Sequence, residues 1–184
     1  MTDWRPDFDP DHLYFVTTTA VARAHLFASD IAKRLIVDSL DCMRLRGRLR
    51  LYCFVVMPNH VHLVVQCTAS DTLAAVLRDF KKHTAERLAR QFRAHRNREI
   101  LDTLAEHGRA RKQRYKVWED GYDARDVFSP DFLRQKMTYI HNNPCQPHWH
   151  LVERPEDYVW SSARHYLLNE AAIIPLDSAV ELLV

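Results

Sequence analysis

The sequence predicts an α+β fold, a ferredoxin-like antiparallel sheet with helices packed on it in the order β-α-β-β-α-β-α. Two observations carry this. Apolar runs of strand length flank a Pro58-Asn59 turn, and segments of helical period with their own caps lie between the strands. With 184 residues, 47% hydrophobic and 27% charged, the chain is expected to form one globular domain over residues 1–184, its core at 12–167.

Residues 12–19 are rich in aromatic and β-branched side chains and read as a first strand. Ser29 is an N-cap, and Ile31, Leu35, Ile36, Leu40 and Met43 recur at helical spacing up to Gly47, a natural stop. An apolar strand at 50–57 and a second at 60–67 follow, joined by Pro58-Asn59, with proline and asparagine where a tight turn wants them. Asp71 or Thr72 then opens a long amphipathic helix with Leu73, Val76, Leu77, Phe80, Thr84, Leu88 and Phe92 on one side. Residues 94–113 are polar and without a clear pattern; short strands are expected around 115–118 and 125–128. A last well-punctuated helix has Ser129 as N-cap, Pro130 at its first position and Asp131 complementing the dipole, and ends before Pro144. A short helix is expected within 160–166.

On the second strand of the hairpin, period two puts His60 and His62 on one face and Val61, Leu63 and Val65 on the other. Two imidazoles side by side on a central strand need partners, and a shared metal ion would satisfy both; a solvated polar face is the alternative. On the helix from Pro130, Tyr139 and Asn143 are one turn apart on the same face. A tyrosine hydroxyl, with an ordinary pKa of about 10, is a poor nucleophile at neutral pH. A divalent cation can stabilise its phenolate and polarise a phosphate, and a carboxamide can supply an oxygen to that cation. Packing is the competing role for Tyr139, and helix termination for Asn143. His141 points roughly 200° from Tyr139 and is not expected to be a ligand.

Composition narrows the class further. Cys42, Cys53, Cys67 and Cys145 form no Cys-x-x-Cys pair and read as reduced core residues of a cytosolic protein. No apolar stretch reaches membrane-spanning length and the first residues do not read as a signal peptide, so a cytoplasmic, nucleoid-associated location is expected, with no membrane partner. Glycine occurs only at 47, 108 and 121, which leaves no phosphate-cradling Gly-x-x-x-x-Gly-Lys loop and no expected nucleotide cofactor. The formal net charge of +2 is unevenly spread. Residues 72–98 hold eight basic side chains against two acidic ones, and 109–116 hold five with no acid. A basic middle is the footprint of a polyanion binder, although a solvated helix face has the same composition.

Met57-Pro58-Asn59-His60-Val61-His62-Leu63-Val64-Val65 and Tyr139-Ile140-His141-Asn142-Asn143-Pro144 together resemble the two signature segments of the REP-associated tyrosine transposases, single-tyrosine relatives of the HUH endonucleases. Trp118-Glu119-Asp120-Gly121-Tyr122 and Tyr158-Val159-Trp160-Ser161-Ser162 are similar to further family segments, so the resemblance spans most of 12–167. It implies that His60, His62 and Asn143 bind Mg²⁺ or Mn²⁺. It also implies that Tyr139 attacks a phosphodiester of single-stranded DNA, giving a 5′-phosphotyrosine and a free 3′-hydroxyl, at hairpins formed by repetitive extragenic palindromes. Candidate DNA contacts are Arg78, Lys81, Lys82, Arg87 and Arg90 on the long helix, with Arg111, Lys112, Arg114 and Trp118 beyond it. Residues 145–150 and the acidic leader depart from the family pattern, so the hairpin recognised does not transfer. Monomer and homodimer both stay open. A non-cleaving hairpin-binding module is the main alternative. A histidine-triad nucleotide hydrolase would want a third histidine where Val64 stands.

Overall fold

The computed structural model describes residues 9, 11–68, 71–179 and 182. Four strands, β1 (Tyr14–Thr19), β2 (Leu49–Val56), β3 (His60–Cys67) and β4 (Asp123–Asp126), form one sheet in the order β2-β3-β1-β4. Every neighbouring pair is antiparallel. The helices are α1 (Asp30–Leu45), α2 (Leu73–Ala94), α3 (Arg98–Arg109), α4 (Pro130–Asn142) and α5 (Ala163–Leu168). This is the expected α+β sandwich with α3 inserted before β4, and with α5 after α4 where a short helix is expected within 160–166.

Local chemistry accounts for most boundaries. The hydroxyls of Ser29, Thr72 and Ser129 accept from the backbone N–H three residues on, capping α1, α2 and α4. Asn97 does the same for α3, whose only buried residues are Leu104 and Gly108. Ile100, Leu101 and Leu104 stand at helical spacing and pack on the core, a short apolar stripe set among the charges of 94–113. Ile31 sits on the helical spacing of α1 yet is 51% exposed. The strand expected at 125–128 lies at 123–126, and 115–118 contributes one bridge, Trp118 to Ala20. Pro144 does not stop the chain at once: a 3-10 turn, Asn143–Cys145, continues α4.

Val16, Val61, Leu63 and Val65 are fully or almost fully buried on one face of the sheet, in the same core as the apolar sides of α1 and α2. Each such side chain contributes about 1.5–3 kcal/mol by leaving water. The other face carries His60 and His62 and is covered by α4, which packs on β2 and β3. A bulge between Leu51 and Cys53 shifts the register of β2, so that Cys53 pairs with Val64 and turns towards α4. Among the described residues no helix is long and apolar enough to cross a membrane. The cysteines are free, Cys53 and Cys67 being buried.

Candidate active site

The hairpin places the histidines at the centre of the sheet. On β3, His60 and His62 stand opposite Thr19 and Thr17 of β1, and His62 also opposite Val55 of β2. Their ring centroids are 4.6 Å apart. Tyr139 comes in from α4 of the same chain, its ring 5.2 Å from that of His62. Phe15 stacks on His62 at 5.4 Å and meets Tyr139 edge-on at 6.0 Å. Tyr139 is 46% exposed, whereas His62 and Asn143 are buried. The nucleophile candidate therefore stands at the mouth, with the ligand candidates behind it.

Hydrogen bonds orient the imidazoles. Asn59 Nδ2 donates to Arg23 O at 3.0 Å, which leaves Asn59 Oδ1 facing His60 Nδ1 at 2.7 Å. An amide oxygen only accepts, so Nδ1 carries the proton and Nε2 keeps its lone pair. Thr17 Oγ1 lies 2.9 Å from His62 Nδ1. With the hydroxyl accepting from Nδ1–H, His62 Nε2 is likewise an acceptor, and it is buried without a hydrogen-bond partner. Asn143 Oδ1 is buried without a partner too.

Burial holds both imidazoles neutral. It pushes His60 down to about 4 against the opposing influence of the nearby Asn143 carboxamide, with the charges of Arg23 and His148 adding to it. His62 is pushed to about 3 by burial, then by His60 and Lys136. Neutral imidazole is the form that binds a cation. Orphaned buried acceptors cost free energy unless something positive meets them. Among the described residues no cluster of three or more His, Cys, Asp or Glu side chains is gathered for a metal. A third protein donor here has to be of another type, and Asn143 Oδ1 is one. Two imidazole nitrogens and a carboxamide oxygen are a donor set that a divalent cation can use.

Two residues beyond Tyr139, His141 points into the protein, as its helical position predicts. It is buried, with Nε2 2.9 Å from Ser162 Oγ and 3.2 Å from Cys53 Sγ. Sequence reasoning missed Thr17 and Asn59 as positioning residues. Asn59 lies inside the histidine motif; Thr17 comes from a strand 45 residues away.

The basic candidates divide. Lys82, Arg90, Lys112 and Arg114 are exposed, and Arg78 is exposed beside Asp79. Arg87 lies 4.0 Å from Asp38 and Arg111 2.9 Å from Asp120. Lys81 is turned inward, its ammonium donating to Glu119 O at 2.6 Å and to Gly121 O. Trp118 is a correction. It is 5% exposed, its indole N–H donates to Thr84 Oγ1 at 2.9 Å and its ring packs on Phe27 and Phe80, so it is a core residue. Arg78, Lys81, Lys82, Tyr115 and Tyr122 line a cleft of about 580 Å³, at whose wall Trp118 shows only its small accessible part, and which contains none of His60, His62, Tyr139 or Asn143.

Comparison with known proteins agrees with this architecture. Across 97% of this chain and 96% of the other, the fold matches a structure described as the REP-associated tyrosine transposase bound to a REP hairpin, with a TM-score of 0.66 and 16% identity. A candidate transposase from Deinococcus radiodurans R1 aligns over 77% of this chain and 97% of its own, with a TM-score of 0.47 and 21% identity. No curated protein matches. The family described as "Transposase IS200 like" matches residues 10–143, a stretch that includes both histidines, Tyr139 and Asn143. The chain belongs to the IS200-like transposase family.

Proposed function

We propose that the protein is a metal-dependent, HUH-type endonuclease and strand transferase acting on single-stranded DNA at hairpins of repetitive extragenic palindromes. The observation that carries this reading is the convergence, within one chain, of Tyr139 with the half-buried His60 and buried His62 imidazoles and the unpartnered carboxamide oxygen of Asn143. The hairpin bound by the structural relative supports the choice of DNA substrate.

Held by His60 Nε2, His62 Nε2 and Asn143 Oδ1, a Mg²⁺ or Mn²⁺ ion would polarise the scissile phosphate and stabilise the charge that develops on it. The protein does the rest. Asn59 and Thr17 hold the imidazoles in the ligand tautomer. Phe15 backs the His62 ring and confines the Tyr139 ring from its edge. Tyr139 Oη attacks phosphorus as the phenol loses its proton. The P–O3′ bond breaks, the 3′ oxygen leaves and gains a proton, and the 5′-phosphate remains on Tyr139. Attack by a 3′-hydroxyl on that linkage reverses the sequence and releases tyrosine, so rejoining consumes no nucleotide. Exposed Arg78, Lys82, Arg90, Lys112 and Arg114 supply phosphate contacts.

Replacing Tyr139 with Phe tests this. Covalent protein–DNA adducts on a hairpin oligonucleotide should vanish while binding persists; adducts in the variant overturn the assignment. Cleavage by the wild type should also stop in EDTA. Hairpin binding with no cleavage in Mg²⁺ or Mn²⁺ would instead identify a non-cleaving binding module.

A further inference from the structure

Beyond His62, reading outward from His60, α4 carries an aromatic and cationic face that the chemistry above does not use. Phe128 and Phe132 stack with centroids 4.9 Å apart and planes 16° from parallel. Phe128 is 78% exposed, the most exposed large apolar side chain among the described residues. A hydrophobic residue just before an N-cap commonly packs against the fourth helical residue, here Leu133. Phe128 lies on Phe132 instead and keeps most of its surface in water, so fastening the helix end does not account for it.

Lys136 Nζ sits 4.8 Å from the centre of the Phe132 ring and 4.9 Å from that of Phe15, the ring stacked on His62. Arg125 stands opposite Phe15 in the β1–β4 register, so it shares this face; it is largely exposed and 3.7 Å from Asp123. Positions 128, 132, 136, 139 and 143 follow one helix face. Rings, a cation, the nucleophile candidate and a ligand candidate thus run in line along α4.

A second protein copy would need a broad apolar surface, and two rings interrupted by an ammonium do not supply one. Rings alternating with a cation suit a chain that alternates flat bases with phosphates. We propose that Phe128, Phe132 and Lys136 form a stacking subsite for an unpaired nucleobase and its phosphate beside the scissile bond, so that α4 holds the strand as well as attacking it. The subsite rests on the single-strand reading of the active site.

The test uses the full chain and a short oligothymidylate bearing one central 2-aminopurine, whose fluorescence is quenched on stacking. Phe128→Ala should bind about 5- to 100-fold more weakly and lose the quench, and Phe128→Trp should retain both. Base-free polyphosphate should bind Phe128→Ala as it binds the wild type, and Lys136→Ala more weakly. The subsite is overturned if Phe128→Ala keeps wild-type affinity and quench, if it loses polyphosphate affinity equally, or if its effect is a changed sedimentation coefficient with DNA binding intact. Covalent adducts on a hairpin oligonucleotide separate the two claims. Wild-type adducts with an inert Phe128 sink the subsite alone, whereas quenching without adducts sinks the nuclease reading alone.

Discussion

Thr17 and His62 face each other across the β1–β3 ladder, hydroxyl oxygen to Nδ1 at 2.9 Å. The strand register itself therefore positions the imidazole. Thr17→Val keeps the shape and the β-branch but removes the acceptor. It should lower Mn²⁺ affinity about 10- to 100-fold with the thermal midpoint little changed, measured by isothermal titration. Wild-type affinity in Thr17→Val would exclude the threonine as a positioning residue.

Trp118 separates packing from DNA contact. Trp118→Ala should cost about 3–5 kcal/mol of stability. Trp118→Phe removes the N–H donated to Thr84 and some volume, for about 1–2 kcal/mol. Urea unfolding gives both values. Trp118→Phe should leave single-strand affinity unchanged; weaker binding at unchanged stability would return this ring to the DNA surface.

The exposed cations should reveal themselves through salt. Affinity for hairpin DNA should fall linearly with log salt concentration. Lys82→Gln and Arg90→Gln should each flatten the slope by about one. Lys81→Gln, by contrast, strips the donor from Glu119 O and Gly121 O. It should lower stability and leave the slope unaltered, as read by fluorescence anisotropy across a salt series.

Buried histidines make stability depend on pH. Burial pushes His141 down to about 4, against about 6.5 in an unfolded chain. Between these values the unfolded state takes up a proton that the native state refuses, so stability falls as pH drops from 6.5 towards 4. Above 6.5 both states are neutral and the effect is absent. Each such histidine steepens the fall by at most about 1.4 kcal/mol per pH unit. His60 and His62 act with the same sign. Denaturant midpoints between pH 7 and 5 should vary less in His141→Gln than in the wild type; an identical slope would contradict the assignment.

Local signals made much of this legible. The hairpin turn, the hydroxyl caps and the apolar side of α2 are written within a few residues of where they act, and those elements lie where the sequence puts them. α3 had its signals too, Asn97 as cap and Ile100, Leu101 and Leu104 at helical spacing, but a stripe of three is easily lost among so many charges. β4, Asp-Ala-Arg-Asp, is an edge strand whose pattern is that of a loop. Trp118 went astray because an aromatic in a basic stretch met Phe27, Phe80 and Thr84 in the core. At the site, strand alternation brought out His60 and His62, and helical spacing Tyr139 and Asn143. The orphaned acceptors and the partner of His62 emerge only once β1 is laid beside β3.

The knot of His141, Cys53 and Ser162 has a consequence for genetics. Tyr139 and His141 sit two residues apart on one stiff rod, one reaching for solvent and the other pegged into the interior. Any change that loosens the peg rotates or slides the rod and carries the phenol out of alignment. Ser162→Ala or Cys53→Ala, each losing some stability with the contacts removed, would then appear in a screen as loss-of-function alleles easily mistaken for members of the catalytic set. Their signature would be normal DNA binding and normal metal binding with slow adduct formation, the mark of a misaligned tool.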